Sequence, residues 1–231
     1  MEAVVLAGGF GTRLRSVVSD VPKPMAPVAG VPFLELLLSS LERKGLRRAV
    51  LAVGHLAHVV VQHFGPRYRG VELAYEIEET PLGTGGAILR AFRRCEADAV
   101  LVVNGDTFLD LDTARLLDHW QRQRTPIIVA RPMPDAARYG RLLIDSSGRV
   151  TGFAEKGEAG PGAINTGHYF WPVDLLEGRG LPEAFSIETD FLESAVKERR
   201  FDALLTEGRF IDIGVPEDYA RAQTELADLR Q

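Results

Sequence analysis

The sequence predicts an α/β protein, a three-layer Rossmann-like fold with a mostly parallel mixed sheet and a small antiparallel insertion. In the first half, short β-branched runs alternate with amphipathic segments, the pattern of successive βαβ units. After Asn104 the rhythm shifts to short strands separated by turn residues such as Ser146-Ser147-Gly148. At 231 residues with 45% hydrophobic content, the chain can bury one substantial core, so a single domain is expected over 1–231.

The first strand is expected over Ala3 to Ala7, followed by strands at Arg48 to Val53, Glu72 to Glu76 and Ala99 to Asn104. Between them, Phe33 to Lys44 reads as a helix because leucines recur at helical spacing, Pro32 precedes it and Gly45 suits its C-cap. His55 to Phe64 and Thr84 to Arg94 are two further crossover helices. The second opens on the glycine cluster Gly83, Gly85 and Gly86, where a ligand could come close to a helix N-terminus. Strands at Ile127 to Arg131, Gly140 to Asp145, Val150 to Glu155 and Ala163 to Phe170 are assigned to the antiparallel insertion covering one side of the site. The chain then closes with helices near Thr189 to Arg199 and Glu217 to Leu229, with a short strand at Phe210 to Ile213 between them.

A net charge of −5 disfavours nucleic acid as a partner, so any cationic groups act locally. Cys95 is the only cysteine, which excludes an internal disulfide and a multi-cysteine zinc site and fits a reducing cytoplasm. No apolar run approaches membrane-spanning length, and neither a signal peptide nor a membrane partner is expected. His55, His58 and His63 share one expected helix without the i, i+4 spacing of a zinc pair, so they read as solvent-facing or core-edge residues.

The chemistry concentrates between Leu6 and Pro27. Gly8-Gly9-Phe10-Gly11-Thr12-Arg13 forms a glycine-rich turn directly after the first strand, where backbone N–H groups can face an anion. Leu14 stands where a dinucleotide fingerprint needs its third glycine, and no Walker A lysine follows. Pro22 and Pro24 stiffen the backbone around Lys23, so Arg13 and Lys23 supply preorganised positive charge for a nucleoside triphosphate. Asp106 follows an apolar strand and should emerge at its carboxyl end, where open α/β sheets bind ligands. Asp110-Leu111-Asp112 mimics a glycosyltransferase metal motif, but Asp112 before Thr113-Ala114-Arg115 reads better as a helix N-cap.

L-A-G-G-F-G-T-R-L followed by P-K-P resembles the signature of the sugar-1-phosphate nucleotidylyltransferases. The likeness extends through Gly105-Asp106 and Glu155-Lys156 to Asp212. The stretch from Glu78 to Gly86 is most similar to the guanylyltransferases of mannose-type sugars, and the short chain to their heptose 1-phosphate branch, without the C-terminal β-helix of longer relatives. The resemblance implies a nucleotide-binding half at 1–125 and a sugar-phosphate-binding half at 126–231. It also implies GTP or another nucleoside triphosphate and a sugar 1-phosphate as substrates, Mg²⁺ as cofactor, and a monomer or homodimer.

Residue by residue, the resemblance implies that Leu6, Gly8, Gly9, Gly11, Thr12, Glu78, Gly83 and Thr84 bind the nucleotide. Arg13 and Lys23 act on the phosphates, and Asp106 and Asp212 hold the metal. Tyr139, Gly140, Glu155, Lys156 and Asn165 meet the sugar phosphate, although Gly157 replaces the proline that the family has after Glu-Lys. Glu78 favours guanine because a carboxylate accepts from both the ring N–H and the exocyclic amino group. The run Glu76, Glu78, Glu79 reads alternatively as the exposed face of a strand. A mannose 1-phosphate guanylyltransferase, a uridylyltransferase of another sugar 1-phosphate, a glycosyltransferase using Asp110 and Asp112, and a non-catalytic nucleotide sensor stay open as alternatives.

Overall fold

The structure is a computed structural model and describes residues 1–9, 14, 18, 21–154, 157 and 159–230. Its strands are β1 (Glu2–Leu6), β2 (Pro27–Val28), β3 (Val31–Pro32), β4 (Arg48–Val53), β5 (Arg67–Tyr68), β6 (Val71–Ile77) and β7 (Ala99–Asn104). They continue with β8 (Thr107–Leu109), β9 (Ile127–Met133), β10 (Leu142–Ile144), β11 (Val150–Phe153), β12 (Gly162–Pro172), β13 (Asp202–Leu205) and β14 (Phe210–Asp212). The helices are α1 (Phe33–Arg43), α2 (Ala57–Phe64), α3 (Gly83–Phe92), α4 (Thr113–Gln123), α5 (Glu193–Glu198) and α6 (Pro216–Glu225).

Eight strands form the central sheet in the order β13-β9-β12-β7-β1-β4-β6-β5. β7, β1, β4 and β6 run parallel, which aligns their carboxyl ends, while β12 runs antiparallel between β7 and β9. One face buries Val5, Leu51 and Val103 beneath α1, α2 and α4. The other buries Val4, Val50 and Val102 beneath α3 and α5. These strands are apolar on both faces because both faces are covered, which gives the three expected layers.

Two expectations change. β9 and β12 lie within the central sheet, and only β10 and β11 form a separate antiparallel pair among the four strands assigned to an insertion. The cause is long-range pairing, Tyr169 with Val102 on one side and with Ile128 on the other, which turn chemistry does not encode. The expected helix at Thr189 to Arg199 is a π-helical turn, Ile187–Leu192, running into the shorter α5.

A third core cluster gathers Leu14, Ala26, Val28 and Phe33 with Phe108, Ile211, Ala222 and Leu226. It fastens β14 and α6, late in the chain, onto the segment that follows β1. Asp212 thereby reaches the N-terminal half of the molecule: it pairs with Thr107 across β14 and β8, and the Ile213 N–H donates to the Asp106 carbonyl at 3.0 Å.

Candidate active site

The chain proceeds from β1 to β4 and β6 on one side and returns to place β7 on the other side of β1. The carboxyl ends of β1 and β7 therefore meet at a topological switch point, where α/β sheets open a ligand crevice. The chains cross closely there. Gly105 N–H donates to the Leu6 carbonyl at 2.9 Å, and a Cβ on Gly105 would lie 2.7 Å from that oxygen.

A cavity of about 490 Å³ opens at these strand ends. Eight residues expected to serve the site line it: Leu6, Gly8, Gly9, Lys23, Glu78, Gly83, Thr84 and Asp106. Gly11, Thr12, Arg13, Glu155 and Lys156 lie outside the described residues. His55, Glu79, Pro81 and Asn104 also line the wall without having been singled out for binding. Asn104 had a legible signal, a polar residue ending an apolar strand. His55 precedes α2, which starts at Ala57, instead of lying within it, because Leu56 adopts a left-handed conformation at φ 57°.

Lys23 sits in a short 3₁₀ turn, Lys23–Met25, flanked by buried Pro24 and Met25. Its ammonium donates to Asp106 Oδ2. Gly214 brings Asp212 to the same place: a Cβ there would lie 2.8 Å from Asp212 Oδ1 and 3.3 Å from Lys23 Nζ. The Gly214 N–H donates to Asp212 Oδ1 at 2.7 Å. Burial, followed by the negative charge of Asp106, pushes the Asp212 carboxyl above its ordinary range, and Lys23 acts in the opposite direction. Two carboxylates brought to one place are a hard-oxygen donor pair that suits Mg²⁺. Among the described residues no larger cluster of metal-ligating side chains occurs; bound phosphate and water commonly complete an Mg²⁺ octahedron.

Glu78 follows β6, its N–H donating to the Val53 carbonyl at 2.8 Å. Its carboxylate lies against Gly8, whose Cβ would come within 2.6 Å of Glu78 Oε1. The Leu82 N–H donates to Glu78 Oε2 at 3.2 Å, yet burial dominates and holds the carboxyl above the usual glutamate range. The neighbouring Glu76 is not an exposed strand residue. It is 5% exposed and paired with Arg90 of α3 and with Arg94 just beyond that helix.

The glycines opening α3 serve packing. A Cβ on Gly85 would stand 2.1 Å from the Phe185 ring, one on Gly86 2.3 Å from the Glu183 carbonyl, and one on Gly83 2.5 Å from the Phe185 carbonyl. Thr84 Oγ1 accepts from the Ile187 N–H at 2.9 Å, fixing the same segment. Gly83 and Thr84 still reach the cavity, but the close approach there is made by the chain itself.

Tyr139, Gly140 and Asn165 do not line this cavity. The Tyr139 ring packs edge-on against Phe210, with centroids 5.7 Å apart. The bridge between Arg141 and Ile164 sets Gly140 beside Asn165. Asn165 Nδ2 donates to Tyr169 Oη at 2.9 Å and to Glu188 Oε1 at 3.3 Å. The D-x-D mimic resolves as expected: Asp112 Oδ1 caps α4 by accepting from the Arg115 N–H at 3.0 Å, and Asp110 pairs with Lys44. Of the histidines, His63 bonds Glu35 at 2.6 Å and His58 is exposed.

The family model for nucleotidyl transferases matches residues 2–228. The chain is 41% identical over 227 residues to D-glycero-alpha-D-manno-heptose 1-phosphate guanylyltransferase from Aneurinibacillus thermoaerophilus, covering 98% of each protein. It is 40% identical to the Campylobacter jejuni protein of the same name, covering 95% of this chain and 97% of the relative. The crystal structure of HddC from Yersinia pseudotuberculosis complexed with GMP-PN superposes with a TM-score of 0.85 at 38% identity, covering 97% of this chain and 98% of that one. No helix among the described residues is long and apolar enough to cross a membrane. A family match over almost the entire length, on a fold whose strand ends gather Lys23, Asp106 and Asp212, leaves one conclusion: the chain belongs to the nucleotidyl transferase family.

Proposed function

We propose that the protein transfers GMP from GTP to D-glycero-α-D-manno-heptose 1-phosphate, giving the GDP-heptose and pyrophosphate. The observation that carries this reading is the convergence of Glu78, Lys23 and Asp106 on one cavity. It is supported by relatives of matching length that carry the heptose guanylyltransferase name. In this reading residues 1–125 bind the nucleotide and 126–231 the sugar phosphate.

Glu78 accepts from the ring N–H and exocyclic amino group of guanine, a donor pair that uracil and thymine lack. Leu6, Gly8, Gly9, Gly11 and Thr12 wrap the nucleotide, with Gly83 and Thr84 closing its far side. Arg13 holds the departing pyrophosphate, and Lys23 neutralises charge at the reacting phosphates. Tyr139, Gly140, Glu155, Lys156 and Asn165 receive the acceptor sugar and its phosphate.

The acceptor phosphate is ionised near neutral pH, so attack on the α-phosphorus needs no protein nucleophile or general base. The protein's task is to align two polyanions and hold cations between them. Asp106 and Asp212 would hold Mg²⁺, which when bound supplies charge neutralisation on the phosphate oxygens.

The test crosses GTP, ATP, UTP and dTTP with heptose and mannose 1-phosphates of the same anomer and measures pyrophosphate. GTP with the heptose 1-phosphate is expected to give the highest kcat/KM. Equal rates with UTP would reject guanine selection, and a preference for mannose 1-phosphate would reject the heptose.

A further inference from the structure

The Arg138 guanidinium forms an ion pair with Asp218 Oδ2 and lies over the Tyr139 ring, 5.1 Å from its centroid. Asp218 stands in the first turn of α6, is 4% exposed, and accepts from Arg221 Nη1 at 2.7 Å through its other oxygen. A buried carboxylate contributes little net stability, because desolvation offsets most of the attraction to its partners. What this one does achieve is a fixed guanidinium: Arg138 is held at one edge by Asp218 while its side chain stays 43% exposed.

The place where it is fixed matters. Tyr139 packs on Phe210, and Phe210 and Asp212 are two residues apart on β14, so they project from the same face. Asp218, which holds Arg138, stands in the helix that follows β14 directly, so Arg138 is anchored beside the strand that carries Asp212. Two separate elements thus bring cations to this end of β14, Lys23 from the segment after β1 and Arg138 from the loop after β9. A displacement at phosphorus needs its incoming and leaving groups roughly in line, so the acceptor must enter from the side opposite the pyrophosphate. A planar guanidinium fork suits a phosphate on that side, because it can donate two parallel hydrogen bonds and offset the repulsion between two anions.

We propose that Arg138 binds the phosphate of the incoming sugar 1-phosphate, and that Asp218 is the positioning residue that orients it. The assignment rests on the nucleotidyl-transfer reading above and adds a residue to it. In steady-state kinetics, Arg138→Ala is expected to raise the KM for the sugar 1-phosphate on the order of tenfold to a hundredfold, the worth of a charge-assisted contact. The KM for GTP should stay within about twofold. Arg138→Lys should recover part of the loss, and Asp218→Asn should raise the same KM by less than Arg138→Ala does. An unchanged KM for the sugar 1-phosphate, or an equal rise in both KM values, overturns the assignment. Should Arg138→Ala fail to fold, Arg138→Lys decides the question by the same split. Wild-type protein that releases no pyrophosphate with any sugar 1-phosphate overturns instead the transfer reading, and this assignment with it.

Discussion

At the scale of single residues, Lys23 and Glu78 carry most of the proposed chemistry. Lys23 is bonded to Asp106 on a stiffened segment, so removing its charge should spare the fold and act on chemistry. Lys23→Ala is expected to lower kcat by about a hundredfold or more with an unchanged melting temperature, measured by pyrophosphate release and thermal unfolding. Retained turnover would remove Lys23 from the mechanism.

Glu78 and Asp212 make the opposite trade. Burial raises both carboxyls, so the folded state binds protons more tightly than the unfolded chain does. Stability is then lost as pH rises from the ordinary carboxylate range through the raised folded values. Glu78→Gln and Asp212→Asn should therefore each be more stable than wild type at neutral pH, with the difference vanishing below the ordinary carboxylate range. Glu78→Gln should also erode the preference for GTP. Wild-type GTP affinity should fall on acidification, beginning above the usual glutamate range, as Glu78 takes up its proton. Thermal unfolding and GTP titration across pH measure both effects.

At the scale of elements, legibility followed the distance over which each element's cause acts. β4 and β7 coincide with their expected spans because their continuous apolar runs need only a covered sheet. α1 was legible from its leucine spacing, and Gly45 caps it at φ 94° with its N–H donating to the Glu42 carbonyl at 3.0 Å. β13 was not foreseen, since its short strand is defined by pairing with β9, far away in sequence. The glycines of α3 were seen as room for a ligand, but the room they make for the chain itself was not. They admit Phe185 and Glu183, and nothing local announces a contact made about a hundred residues later. Gly85→Ala should accordingly destabilise the fold by roughly 1–3 kcal/mol through overpacking, as chemical denaturation would measure. Adding Phe185→Leu should restore part of that loss. A neutral Gly85→Ala would show that the segment is free to move aside.

Across the whole molecule, the fold closes a loop between its two ends of sequence. The third core cluster ties Ile211, Ala222 and Leu226 to Ala26, Val28 and Phe33, which delivers Asp212 to Lys23 and Asp106. The glycine turn and Asp106 were legible because each follows an apolar strand, and Lys23 because prolines flank it. Asp212 had no such local signal and entered through resemblance, because its role depends on where β14 is carried. Tyr139, Gly140 and Asn165 lie off this cavity, and their expected contact with the sugar phosphate came from resemblance alone.

In the proposed reaction these cations and carboxylates join two phosphorylated substrates at the α-phosphorus of GTP. GTP labelled at its α-phosphate, incubated with the heptose 1-phosphate and Mg²⁺, tests it most directly by following the label. Labelled GDP-heptose and unlabelled pyrophosphate are expected in equal amounts, both lost in Lys23→Ala. Label recovered as GDP, with free phosphate released and no sugar nucleotide formed, would contradict it.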